Sequence, residues 1–241
     1  MAGRHIHLKP ALRQCILAAA ITFSGTASAQ QGAATTPSNP PGRAVYGLID
    51  ANEQIQSMFK MCPADTYRRA NANGLLRLAA AQTRLPQCIS DPTSCYDACV
   101  AGSGSACFNL ARSFQQDEKA VPQRYAEMLF TTACGFGHAG GCTNRGSGIR
   151  NSLPYGDPFR AADEKSKDAC QFRTFRLSCG QGDAWGCAML GQSYQYGEGV
   201  ARSASFARGA FQKSCRIAPD FEACTFSKEG IDELAPKRGG S

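Results

Sequence analysis

The chain has 241 residues, 43% of them hydrophobic and 19% charged, with a formal net charge of +7 and thirteen cysteines. That balance permits a packed core and excludes a wholly disordered polymer. The basic excess is mild and forms no long Lys/Arg run, which argues against nucleic acid as a partner.

Residues 1–29 carry Arg4, Lys9 and Arg13 but no acidic residue, followed by the apolar run CILAAAITF and then Ala27-Ser28-Ala29. A positive start, a short apolar centre and an A-x-A exit have the order of a secretory signal peptide. The apolar run is too short to span a bilayer, and no later stretch is long enough. Cys15 lies at the start of that run and away from the cleavage point, so no lipid anchor is expected. The mature protein is therefore expected to be exported, either periplasmic or secreted, and not membrane-spanning. Its charge falls to +4, because three basic residues leave and no acidic ones do. Residues 30–44 (QQGAATTPSNPPGRA) are polar and rich in Pro, Gly, Ser and Thr, the composition of a disordered linker.

Residues 45–94 read as an N-terminal helical cap. Two helices are predicted, over 45–61 and 65–85, split by Cys62-Pro63 and ended by Pro86. The first contains Ser57-Met-Phe-Lys60.

From residue 95 to 235 the chain repeats. Cys99 and Cys107, Cys134 and Cys142, and Cys179 and Cys187 each enclose seven residues, and Cys215 and Cys224 enclose eight. The first members of successive pairs lie 35, 45 and 36 residues apart, a helical-hairpin period with one enlarged copy. An aromatic residue stands four places before the cysteine that ends each repeat unit and opens the next pair (Cys134, Cys179 and Cys215), as Phe130, Phe175 and Phe211. Tyr125 and Phe206 occupy the ninth place before it, where the enlarged copy has Cys170.

Geometry says what the pairs do. Residues eight apart in one helix are separated by about 12 Å along its axis, whereas a disulfide needs Cα atoms within about 7 Å. The chain must reverse between the two thiols, and the interiors GSGS, GFGHAGG and GQGD supply a helix stop and a turn. Each pair should staple the last turn of one helix to the first turn of the next. Twelve cysteines remain after Cys15 leaves, an even set that fits disulfides in an oxidising compartment. Cys62, Cys88, Cys95 and Cys170 allow three pairings. The most local joins Cys88 to Cys95 and leaves Cys62 with Cys170. The predicted architecture is an all-α solenoid of αα-hairpins stapled by disulfides, with a concave and a convex face. The copy around 153–159 should carry a protruding loop. Residues 236–241 form a polar tail.

The run from Ala188 to Val200 (AMLGQSYQYGEGV), with Phe206-Ala207 and Phe211 to Cys215, resembles a Sel-one-like (Sel1-like, TPR-like) repeat. The Cys-x7-Cys decoration is similar to the cysteine-rich, secreted Hcp type, the Hcp β-lactamase-related family. The likeness is best over 179–215, intermediate over 99–134 and poorest over 134–179. It implies a surface that binds a protein or peptide, and in some members cell-wall material such as peptidoglycan.

The same resemblance implies a weak β-lactamase or penicillin-binding hydrolase as an alternative. Ser57 and Lys60 have the S-x-x-K spacing of serine β-lactamases. About one such match arises by chance among this many serines, and no K-T-G or S-D-N partner accompanies it. They read more simply as polar residues on a capping helix. Cys134, His138 and Cys142 are zinc-type ligands, but the other copies keep both cysteines without a histidine, so no metal is expected. No cofactor motif is present: no strand precedes the glycine-rich turns. Trp185 and Tyr196 remain as candidate partner anchors, since aromatics dominate interface energetics. Tyr194 is assigned to packing between helices.

Overall fold

The structure, a computed structural model, describes residues 43–67, 84–116, 123–151 and 153–235. The expected signal peptide, residues 30–42 of the expected linker, most of the predicted second helix and the tail lie outside these. Twelve α-helices and no strand occur among the described residues. They are α1 (Arg43–Ala51), α2 (Glu53–Phe59), α3 (Pro63–Thr66), α4 (Leu85–Ser90), α5 (Pro92–Val100) and α6 (Gly104–Gln116). There follow α7 (Gln123–Gly135), α8 (Ala139–Asn151), α9 (Glu164–Gly180), α10 (Ala184–Tyr196), α11 (Ala204–Ile217) and α12 (Glu222–Glu233). A 3-10 turn, Pro158–Ala161, lies between α8 and α9.

From α5 onward each helix packs on its successor. The helices α6, α8, α10 and α12 also touch as alternate members, which makes them the crowded inner layer. Their partners α7, α9 and α11 form the outer layer, and α2 and α3 pack across α7. The architecture is thus the predicted helical-hairpin solenoid.

The cysteine turns are where sequence dictates the path most plainly. Gly102, Gly137 and Gly182 each stand three places after the first cysteine of a pair and adopt φ of 102°, 86° and 87°. That left-handed conformation ends one helix and turns the chain back, at a backbone cost only glycine escapes. The fourth turn has Ala218 at this place, with φ of −145°, and needs one more residue to return. Cα separations of 4.6, 4.5, 4.3 and 4.4 Å then join Cys99 to Cys107, Cys134 to Cys142, Cys179 to Cys187 and Cys215 to Cys224.

The aromatic register fills the gap behind each turn. Phe130, Phe175 and Phe211 are fully buried. A Cβ on Gly146 would meet the Phe175 ring at 2.7 Å, and one on Gly191 would meet Phe211 at 2.5 Å. Glycine on the inner helix therefore lets the aromatic on the outer helix seat itself.

Local chemistry sets the element boundaries and the enlarged copy differently from the sequence-based expectation. The single helix over 45–61 is broken at Asn52, whose side chain accepts from the Ile55 backbone N–H and starts α2 afresh. The helix also begins at Arg43, two residues inside the expected linker, and α5 begins before the repeat boundary drawn at residue 95. The enlarged copy does not simply protrude. Tyr155 is 91% exposed, but Asp157 is buried, and Leu153 and Phe159 pack on a small cluster of Cys62, Ile149 and Cys170.

Between the larger apolar clusters sits a polar one. Arg145 of α8 is the largest wholly buried side chain among the described residues. Its guanidinium donates to Glu127 of α7 at 3.0 Å and to both carboxylate oxygens of Asp157 at 2.6 and 3.0 Å. Phe59 and Phe159 pack against it, their ring centroids 4.8 and 5.4 Å from its central carbon.

Candidate functional site: one face of α10

Helix α10 owes its position to two caps. Asp183 accepts from the Gly186 N–H at its start, and Gly197, left-handed with φ of 78°, ends it. Asp183 also accepts from the Thr143 hydroxyl of α8 at 2.8 Å, which ties the start of α10 to the preceding inner helix. With helices on both sides, α10 is buried almost throughout.

What it still offers is a stripe. Trp185, Met189, Gln192 and Tyr196 follow at intervals of four, three and four, one face of a helix. Trp185 is half-buried against Phe226 and Phe221 of the next inner segment, at ring distances of 5.6 and 6.4 Å. Tyr196, three turns on, is 53% exposed. Its hydroxyl donates to Glu233 at the far end of α12 at 3.1 Å, as does the Gln195 amide. So α12 runs parallel to α10, and the two residues singled out by sequence stand on the same inner-layer face.

A polar bridge crosses the middle of this stripe. Arg150 of α8 donates to Gln192 and contacts the Met189 sulfur at 3.8 Å. Its other terminal nitrogen pairs with Glu198 in the turn after α10 at 2.5 Å. Burial, followed by the Glu233 contact, pushes the Tyr196 phenol above its ordinary range, so it stays a neutral donor at physiological pH. The face is apolar at Trp185, cationic but compensated at Arg150, and hydroxyl-bearing at Tyr196. It can hold an extended chain by aromatic contact and hydrogen bonds, and it holds no nucleophile aligned with a base.

The remaining candidates lie elsewhere. Ser57 and Lys60 are exposed on the end of α2 and α2's C-cap, with a backbone hydrogen bond between them as in any helix end. Two shallow clefts do not include them. One, of about 280 Å³, is lined by Ala64, Asp65, Arg173 and Arg176; the other, of about 370 Å³, by Gln123, Arg124, Tyr125 and Tyr155. In the second, burial and a 2.5 Å hydrogen bond to Asp50 push the Tyr125 phenol up to about 12. Cys134 and Cys142 are bonded to each other, so neither offers a thiolate to His138. His138 stacks on Phe108 at 4.2 Å and its Nδ1 accepts from the Gly141 N–H. Burial holds its pKa below the usual value. Tyr194 packs between Phe172 of α9 and Phe206 of α11.

The structure pairs Cys62 with Cys170 and Cys88 with Cys95, at Cα separations of 5.7 and 5.4 Å. Sequence reasoning missed Arg150 and Arg145 as organising residues. Their partners are 12 to 48 residues away, and only the flanking Gly146 and Gly148 hinted that a side chain was to be packed tightly there.

No protein-family profile matches this chain, and no curated protein matches it. Among solved structures, the crystal structure of a Sel1 repeat protein from Oxalobacter formigenes is similar, with a TM-score of 0.46 and 18% identity. The match covers 59% of this chain and 97% of that one.

Proposed function

We propose that this chain is an exported, disulfide-stapled scaffold whose product is a binding surface, and that a protein or peptide partner docks along the inner face of α10. The single observation that carries the reading is the alignment of Trp185, Met189, Gln192 and Tyr196 on one face, flanked by α8 and α12. Export is supported by the leader-like residues 1–29 and by the pairing of all twelve later cysteines.

A photoreactive residue in place of Tyr196, compared with one in place of the exposed Arg208 on the outer helix α11, tests it. In native extracts a protein adduct forms from position 196 and not from position 208. Adducts of equal yield at both positions would overturn this docking face, and retention on bare peptidoglycan with no protein adduct would instead favour a cell-wall binder. The β-lactamase-type alternative begins from Ser57, whose side chain stands on the open surface of α2. Turnover of a chromogenic cephalosporin that disappears in Ser57→Ala is the result that would revive it.

A further inference from the structure

We propose that Glu127, Arg145 and Asp157 form a proton-operated latch, which holds the 153–161 loop against the solenoid at mildly acidic pH and loosens it at mildly alkaline pH. The ground is an imbalance of charge in a site without solvent. Two carboxylates share one guanidinium, and all three side chains are at most 3% exposed. One terminal nitrogen of Arg145 serves both acids, Glu127 at 3.0 Å and Asp157 at 2.6 Å. The charged groups acting on Glu127 are Arg145 from α8 and Asp157 from the loop, and α2 lays the ring of Phe59 against the Arg145 guanidinium.

With a proton on Glu127 the cluster is a neutral Arg145–Asp157 pair, and the loop is shut. When that proton passes to solvent, a surplus negative charge is left in the dry interior, which is costly. Glu127 cannot retreat. It belongs to the middle of α7, and its carboxylate lies where a Cβ on Gly148 would be only 2.6 Å from its carbon. Asp157 can, because it is anchored by a short loop. Its other partners all lie within the loop: the Phe159 N–H, which its carboxylate accepts at 2.9 Å, the Arg160 N–H, which its carbonyl accepts at 3.1 Å, and the Pro154 carbonyl, to which its own N–H donates. Beside it, Tyr155 already stands in solvent. Lifting the loop hydrates the surplus charge and frees Phe159 from the guanidinium face, at the expense of the packing of Leu153 and Phe159 on Cys62, Ile149 and Cys170. Burial pushes the Glu127 carboxyl up to about 7 despite Arg145, which sets the transition near neutrality.

Hydrogen exchange of the loop amides tests the latch, with rates corrected for intrinsic chemistry and α12 as the internal reference. Protection of 155–162 should fall about tenfold or more between about pH 5.5 and about pH 8.5, while α12 stays constant. In Glu127→Gln it should remain high and flat. Unchanged protection in the wild type overturns the proposal, as does a wild-type-like fall in the variant. Should the variant not fold, carbon NMR of the glutamate carboxyls decides in the wild type. A carboxyl titrating together with the loop supports the latch, and all glutamates titrating between about pH 4 and 5 sink it.

Discussion

The ring of Phe211 occupies the space that a side chain on Gly191 would need: a Cβ there would lie 2.5 Å from two ring carbons. Gly230 closes on the same ring from α12, at 2.6 Å. One aromatic on an outer helix is thus wedged between glycines on two successive inner helices, and it holds three helices in register.

Gly191→Ala should therefore destabilise the protein, although alanine is the better helix former. The gain in helix propensity is about 1 kcal/mol, and overpacking a buried ring costs about 1–3 kcal/mol or more. The net expected loss is up to about 2 kcal/mol in urea unfolding. Phe211→Leu in the same chain should recover part of it, because the smaller side chain leaves room. A stabilised Gly191→Ala would show that the ring shifts freely.

The covalent staples should differ in worth according to the loop they close. Cys62 and Cys170 are 108 residues apart, and Cys88 and Cys95 only 7. In the chain-entropy account the first closure contributes about 4–5 kcal/mol and the second about 2. The double variant Cys62→Ser/Cys170→Ser should lose more stability than Cys88→Ser/Cys95→Ser, read as the shift in denaturant midpoint. It should also loosen α3 from α9, to which Arg173 ties it through the exposed Asp65 pair, while its packing on α7 remains.

This contrast also marks what was legible in the sequence. The hairpin staples were readable because a seven-residue gap with glycine at its third place admits one local geometry. Phe130, Phe175 and Phe211 were readable because they keep register with the cysteines. The path of α2 and α3 was not. The break at Asn52 depends on a side chain capping its own backbone within an otherwise helical pattern, and the docking of Phe59 depends on Arg145, 86 residues later. At the candidate site, Trp185 and Tyr196 were marked by residue type alone. Their shared face required knowing that α10 runs unbroken from one to the other, and Arg150 reached it from a different repeat.

Global stability should fall as pH rises toward neutrality, opposite to the usual behaviour of paired carboxylates. Burial raises Glu127 from 4.5 unfolded to about 7 folded. The folded state then binds a proton that the unfolded state has released. The contribution is full below about pH 4.5, declines up to about pH 7 and is gone above it. At 1.36 kcal/mol per pKa unit it amounts to at most about 3 kcal/mol. Urea midpoints measured across this range should fall in the wild type more steeply than in Glu127→Gln, and the difference between the two curves isolates this carboxyl.

Trp185 is the only tryptophan in the chain, so its fluorescence reports on one contact, the docking of α12 through Phe221 and Phe226. Helix α12 is the last inner helix of the described solenoid. It is held by Ala223, Cys224 and Gly230 on its buried side, by Tyr196 and Gln195 at Glu233, and by the Cys215–Cys224 bond. Removing that bond in Cys215→Ser/Cys224→Ser takes away a short closure worth about 2–3 kcal/mol. Local opening of α12 becomes correspondingly more frequent, while the hairpins before it are untouched. The emission of Trp185 should then move to longer wavelength at denaturant concentrations too low to change the helical signal, whereas the wild type should lose both together. Coincident transitions in the variant would mean that Trp185 is held by α10 and its neighbours alone, and that α12 does not shape the face it borders.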